Sequence, residues 1–216
     1  VDGDRYYQVD GLALPSVSTI LRVIAKPNLV AWARRTALET VRELLKEGLG
    51  VETALALAEV EPERQRDAAA QRGGLAHEAI ACALMGKAYP SEWGPWVRGA
   101  LGFLADYGLR LVASEQMLAS KRYQFAGTAD LIARGGDGTL ALADWKTGGI
   151  WPEAALQLGA YAIALEEMTG REVGEAYVVG LRETGYEARR VFLPQARKGF
   201  LACLTLWRAL RGELYE

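Results

Sequence analysis

An acid and a base two residues apart, Asp144-Trp145-Lys146, close a run of four apolar residues, Leu140-Ala141-Leu142-Ala143. Successive side chains of a strand point to opposite faces, so Asp144 and Lys146 share one face and Trp145 turns to the other. An acid and a base two apart on a strand are by themselves usually a charged exposed face. A run that is apolar on both faces, however, reads as a buried strand, and charges at the end of such a strand are rarely placed without a use. A second carboxylate, Asp130, lies in Gly127-Thr128-Ala129-Asp130-Leu131-Ile132, where its simpler reading is a strand-end carboxylate satisfied by nearby backbone N–H groups. Between the two segments, Gly135-Gly136-Asp137-Gly138 has the backbone freedom of a tight hairpin, which makes the flanking strands antiparallel neighbours and brings Asp130 alongside Asp144 and Lys146. Two carboxylates in close approach repel unless a proton or a cation intervenes. Oxygen ligands of this kind suit Mg²⁺ or Mn²⁺.

Other polar residues fall within reach of such a site. His77 is the only histidine in the chain and lies just after Arg72-Gly73-Gly74, a positively charged start to a helix. Its simpler reading is a hydrogen-bonded, half-buried residue, with Glu78 as an alternative acidic contributor. Glu115, in the strand-like Leu109-to-Leu118 segment, can face the same site or be an exposed strand charge. Gln157 and Tyr161 are four apart in a helical pattern and share a face, where an amide and a phenol suit phosphate oxygens or a base, and where Tyr161 is otherwise an ordinary core-edge aromatic among Leu156, Leu158, Ala160 and Ile163. Trp151, after Gly148-Gly149, is the tryptophan most open to stacking, and Arg34, Arg35, Arg72, Lys121 and Arg122 are candidates for phosphate.

The elements that must position these residues follow from periodicity. Residues 5–13 read as a short strand or extended arm, and Ser16 or Ser18 caps a helix beginning at Ile20 and Leu21. Helices are expected at 28–47, at 51–70 with a break near Pro62, from Leu75 to Met85, and over Trp96 to Tyr107. From residue 109 the pattern changes: strands at 109–118, the hairpin strands, a helix over 153–168, strands at 173–181 and 188–193, and a closing helix over 196–210. The economical reading is one mixed α/β domain over residues 1–216, with a mainly helical part to residue 108 and a sheet core after it.

Composition narrows the class. The chain has 216 residues, half of them hydrophobic, which supports one sizeable core. A formal net charge of −2 excludes a generally basic coat but not a local basic groove for nucleic acid. No long apolar run and no signal-peptide layout is present, so no membrane association and a cytoplasmic location of bacterial or phage type are expected. Two cysteines, Cys82 and Cys203, are too few for a four-thiolate cluster and read as small core residues.

Taken in order, His77, Glu115, Gly127 to Asp130, Asp144 to Lys146 and Gln157 to Tyr161 resemble the RecB-type branch of the PD-(D/E)XK nuclease superfamily, over about residues 72–165. Leu14-Pro15-Ser16-Val17-Ser18-Thr19-Ile20-Leu21 with Leu29-Val30-Ala31-Trp32 is similar to the opening of the mitochondrial genome maintenance exonucleases and their phage and bacterial relatives. The resemblance implies a restriction-endonuclease-like central mixed β-sheet flanked by helices. It implies a DNA nuclease using one or two Mg²⁺ or Mn²⁺ ions, held by His77, Asp130, Asp144 and the backbone carbonyl of Trp145, with Glu115 behind them or as an occasional ligand. Lys146 would orient or help deprotonate the attacking water, and Gln157 and Tyr161, with Arg72 and Trp151 further out, would contact DNA. An exonuclease on single-stranded or end-containing DNA in repair, recombination or replication is implied, with a helicase or recombination partner possible in that setting. The chain departs from the cluster-bearing relatives in lacking four cysteines, so no iron–sulfur cluster is expected. A non-catalytic DNA-binding accessory protein that keeps the fold, or a nuclease acting on RNA, stand as alternatives.

Overall fold

The computed structural model describes residues 4–212. The chain opens with a hairpin, β1 (Tyr6–Val9) and β2 (Leu12–Pro15), where a single strand or arm was expected. Asp10 and Gly11, both at positive φ, make the tight turn that separates the two strands. Ser16 then caps α1 (Val17–Ile20), its side chain accepting from the Thr19 N–H, and a 3₁₀ turn follows. The remaining elements are α2 (Pro27–Lys46), α3 (Val51–Leu84), α4 (Gly94–Asp106), β3 (Arg110–Ser120), β4 (Phe125–Arg134), β5 (Leu140–Lys146), α5 (Pro152–Thr169), β6 (Val173–Arg182), β7 (Gly185–Arg190) and α6 (Leu193–Ala209).

Two expectations about helices are corrected. Neither Pro62 nor Arg72-Gly73-Gly74 interrupts the chain, and α3 runs unbroken for 34 residues. Pro62 forfeits one N–H, but its flanks are rich in alanine, and Glu61 ties Arg64 at 2.7 Å and Gln65 at 2.8 Å while Glu63 ties Arg66 at 3.0 Å. Pairs at these spacings reinforce the helix across the gap. The last strand lies at Gly185–Arg190 rather than 188–193, because Leu193 and Pro194 already open α6, where proline's fixed φ suits a first turn. Cys82 and Cys203 are free and only partly buried.

The larger sheet has the order β3-β4-β5-β6-β7. Its pairs are antiparallel except β5 with β6, which are parallel and joined across α5. Gly135 to Thr139 close the expected β4–β5 hairpin, with Asp137 accepting from the Thr139 N–H at 2.9 Å and Gly138 at φ +87°. On one side of the sheet, Leu118, Phe125, Leu142 and Val178 pack with Val17 and Ile20 of α1, Leu158 and Leu165 of α5, and Phe200 and Leu204 of α6. On the other side, Leu131, Trp145, Tyr177 and Val179 pack with Val97 and Phe103 of α4 and Ile80 near the end of α3. The chain is thus a mixed α/β protein whose five-stranded mixed sheet is covered by helices, as the restriction-endonuclease-like class requires.

Two compact units are distinguished. One comprises the residues up to Ile24 together with those from Ala76 onward, and contains both sheets; the other is the helical stretch Ala25–Leu75. No helix among the described residues is long and apolar enough to cross a membrane.

Candidate metal centre

The site forms where two strands part. Pairing of β4 with β5 runs from Arg134↔Leu140 to Leu131↔Ala143 and stops there, so Asp130 and Asp144 are the first residues beyond the ladder. Asp130 bridges the gap with its side chain: Oδ2 accepts the Trp145 N–H at 2.8 Å. Asp144 is fully buried. Its Oδ2 lies 2.6 Å from Lys146 Nζ, and its Oδ1 is buried with no hydrogen-bond partner. Burial, reinforced by the Asp130 charge and only partly offset by Lys146, pushes the Asp144 carboxyl up to about 6. The Lys146 ammonium is held protonated, because Asp144 and Asp130 outweigh the burial that would lower its pKa.

Glu115 reaches the same place through a distortion of the neighbouring strand. Its φ is +49°, a left-handed conformation uncommon for a side chain of this kind. It sits opposite Asp130, between the pairs Ser114↔Leu131 and Gln116↔Ala129. Side-chain alternation inverts at this point in both strands. Ile132 faces the α5 side and Leu131 the α4 side, yet Ala129 and Phe125 face the α5 side again. The Asp130 carbonyl accepts instead from the Ser114 hydroxyl at 3.0 Å. The kink therefore lifts two facing carboxylates out of the regular ladder together.

His77 completes the group from α3. Its Nε2–H donates to the Trp145 carbonyl at 2.9 Å, which leaves Nδ1 3.5 Å from Asp130 Oδ2 and 4.0 Å from Glu115 Oε1. Ligand atoms of His77, Glu115 and Asp130 all lie within 4.8 Å of one another. Burial would lower the imidazole pKa, but the Asp130 and Asp144 carboxylates prevail and raise it. Glu115 is raised by burial and by Asp130. This crowding of acids, with a buried unpartnered Asp144 oxygen beside it, fits a divalent cation of the Mg²⁺ or Mn²⁺ kind, which would replace a proton as the neutralising charge. A backbone carbonyl fixing one imidazole nitrogen while the other faces the ligands is a common arrangement at metal sites.

The other expected residues are distributed as follows. Gln157 Nε2 donates to the Tyr161 hydroxyl at 2.8 Å. The buried Tyr161 ring fits against Gly127, where an added Cβ would stand 2.6 Å from Cε1, so the glycine three before Asp130 makes room for the tyrosine. Burial raises the Tyr161 phenol pKa, so it stays protonated. Trp151 is exposed at the N-cap of α5, and its ring lies against Gly149. Glu78 is exposed and outside the ligand group. Arg72 is exposed and belongs to the Ala25–Leu75 unit. Sequence reading missed Ser114, which holds the Asp130 carbonyl, and Tyr7, whose hydroxyl lies 3.0 Å from Thr128 Oγ1. The only available signal was Thr128 itself, two residues before Asp130.

Comparison with curated proteins gave no significant match. A family model does match: that of the PD-(D/E)XK nuclease superfamily, over residues 31–213. The match spans most of the chain and includes the kinked strands, Asp144-Trp145-Lys146 and the helix of Gln157 and Tyr161. The carboxylate, lysine and histidine geometry suits hydrolysis assisted by a divalent metal, and the chain belongs to the PD-(D/E)XK nuclease superfamily.

Proposed function

We propose that the protein is a Mg²⁺- or Mn²⁺-dependent deoxyribonuclease, acting as an exonuclease on single-stranded or end-containing DNA in repair, recombination or replication. The observation that carries the reading is the convergence of His77, Glu115 and Asp130 beside the buried Asp144–Lys146 pair. Asp130, Asp144, His77 and the Trp145 carbonyl would hold the cation, and Glu115, whose ligand atom lies within 4.8 Å of those of His77 and Asp130, stands beside them. When bound, the cation supplies charge neutralisation at phosphorus and a lowered pKa for an adjacent water. Lys146, 2.6 Å from Asp144, would orient the attacking water or help deprotonate it, and would offset charge on the phosphate. Gln157 and the protonated Tyr161 hydroxyl offer neutral donors to the strand beside the site.

The assignment of DNA and of an end requirement rests on the likeness in motif order. It is tested with labelled linear and circular single-stranded DNA and a matching RNA, in Mn²⁺ and Mg²⁺. Linear DNA should be degraded, the closed circle and RNA spared, and EDTA, Asp144→Asn or Lys146→Ala should each abolish the reaction. Undiminished cleavage by both variants would overturn the reading, and degradation of the circle would replace the exonuclease by an endonuclease.

A further inference from the structure

Resting on the nuclease reading, we propose that the N-terminal hairpin supplies a second phosphate subsite, in which the Arg5 guanidinium, seated on the Tyr7 ring beside Thr128, grips a phosphodiester neighbouring the one cleaved. The backbone of Arg5 is fixed from below. Its N–H donates to Thr19 Oγ1 at 2.9 Å, and its carbonyl accepts from the Ser16 N–H at 2.8 Å and from the Thr19 hydroxyl at 3.3 Å. The Ser16 hydroxyl in turn donates to Thr19 Oγ1 at 2.9 Å and accepts from the Thr19 N–H at 3.0 Å, and both residues are buried. Thus the Pro15-Ser16-Val17-Ser18-Thr19 stretch, which has no part in the metal centre, clamps the backbone of one exposed arginine.

The side chain is left available. Arg5 is exposed and forms no ion pair among the described residues; its guanidinium carbon lies 4.8 Å from the centre of the Tyr7 ring. Asp4, the adjacent acid, is taken up by Arg22 and Arg211. Tyr7 is anchored in its turn, its hydroxyl 3.0 Å from Thr128 Oγ1, and Thr128 is two residues from Asp130 on β4. The hairpin is thereby tied to the strand that carries the site. A planar guanidinium with a full set of free donors, stacked on an aromatic ring and held by a rigid backbone, is suited to the forked recognition of phosphate oxygens. It also offers positive charge next to a cluster of carboxylates that, on its own, repels the substrate strand.

The test uses the full chain, a fluorescein-labelled single-stranded oligonucleotide and Ca²⁺ in place of the activating metal, with binding read by anisotropy. Single neutral methylphosphonates are placed at successive positions around the cleaved bond. Arg5→Gln should weaken binding roughly tenfold and lower the slope of log affinity against log salt by about one. One methylphosphonate position should weaken the wild type to the same degree and have no further effect in Arg5→Gln. Arg5→Lys, which keeps the charge without the fork, should recover part of the affinity and of the slope. Wild-type affinity and slope in Arg5→Gln, or the same methylphosphonate profile in both proteins, would remove the subsite while leaving the nuclease reading intact. Failure of the wild type to bind or cleave DNA would remove both. Loss of binding with a lowered melting temperature in Arg5→Gln, unmatched by any methylphosphonate position in the wild type, would show a structural role instead and overturn the proposal.

Discussion

His77 is fixed through one ring nitrogen and offers the other. With Nε2 engaged by the Trp145 carbonyl, Nδ1 faces Asp130 and Glu115, so three side chains from α3, β3 and β4 present ligand atoms to one point. This gives Glu115 more weight than the sequence assigned it. If Glu115 is a full ligand, Glu115→Gln and His77→Ala should each lower Mn²⁺ affinity by about 10–100-fold. The measurement is the rise of melting temperature with Mn²⁺ concentration, since a ligand bound only by the folded state raises stability by mass action. A Glu115→Gln titration that overlays the wild type would return Glu115 to a supporting role. Asp130, Asp144 and Lys146 could be grouped beforehand because strand alternation and a glycine-rich hairpin dictate their neighbourhood. The pose of Glu115 could not, because nothing in Ala113-Ser114-Glu115-Gln116 distinguishes a left-handed glutamate from an ordinary strand residue. The partners of Arg5 and Tyr7 were equally hidden, since they lie more than 100 residues away in Thr128 or in the local Ser16–Thr19 hydroxyl network.

At the level of elements, the position of Gln157 and Tyr161 depends on how closely α5 approaches α6. Gly159 faces the other helix's backbone, and an added Cβ would stand 2.5 Å from the Ala196 carbonyl carbon and 2.6 Å from its oxygen. Backbone cannot swing aside as a side chain can, so Gly159→Ala should destabilise the protein by about 1–3 kcal/mol in urea unfolding. An unchanged midpoint would mean that the helices separate at little cost. The turn between β3 and β4 is held by the C-terminal part of α5, where Glu167 accepts from the Ser120 hydroxyl and from the N–H groups of Lys121 and Arg122 at 2.9 and 3.0 Å. Burial would raise the Glu167 pKa, but these donors together prevail and lower it. An acid whose folded pKa is depressed adds stability that is complete above its unfolded value of about 4.3 and is lost as pH falls through the folded one. Glu167→Gln should therefore lower stability at neutral pH, by less than about 1 kcal/mol because the exposed carboxylate is screened by solvent, and progressively less in acid. A difference from wild type that is constant with pH would show that the charge is not what holds the turn. Periodicity located α5 and β6 to within a residue or so, whereas it broke α3 at Pro62, because the Glu61 and Glu63 pairs that carry the helix past the proline are side-chain choices that only the folded spacing reveals.

Over the whole molecule, a net charge of −2 gives a polyanion no general attraction, so strong binding has to come from local groups. Within the Ala25–Leu75 unit, α2 carries such a group: Arg34, Arg35 and Arg42 line a shallow cavity of about 340 Å³ with Ala31, Leu38 and Glu39. None of the three arginines forms an ion pair among the described residues. Arg35 and Arg42, seven residues apart, fall on one stripe of the helix with Arg34 about 100° round from Arg35, and the group spans about 12 Å of axis between Arg34 and Arg42. Free guanidiniums beside an exposed leucine can meet both the phosphates and the bases of a single strand. On this view the triple change Arg34→Gln, Arg35→Gln and Arg42→Gln should reduce the slope of log affinity against log salt by up to about three. The loss should be uniform across sequences, as expected of phosphate contacts that carry no base readout. Binding is measured in Ca²⁺ over a salt series, with the Mn²⁺-dependent melting shift as the control that the metal centre is intact. An unaltered slope in the triple variant would mean that α2 stays clear of the strand, and that the electrostatic attraction arises within the unit that holds the metal centre.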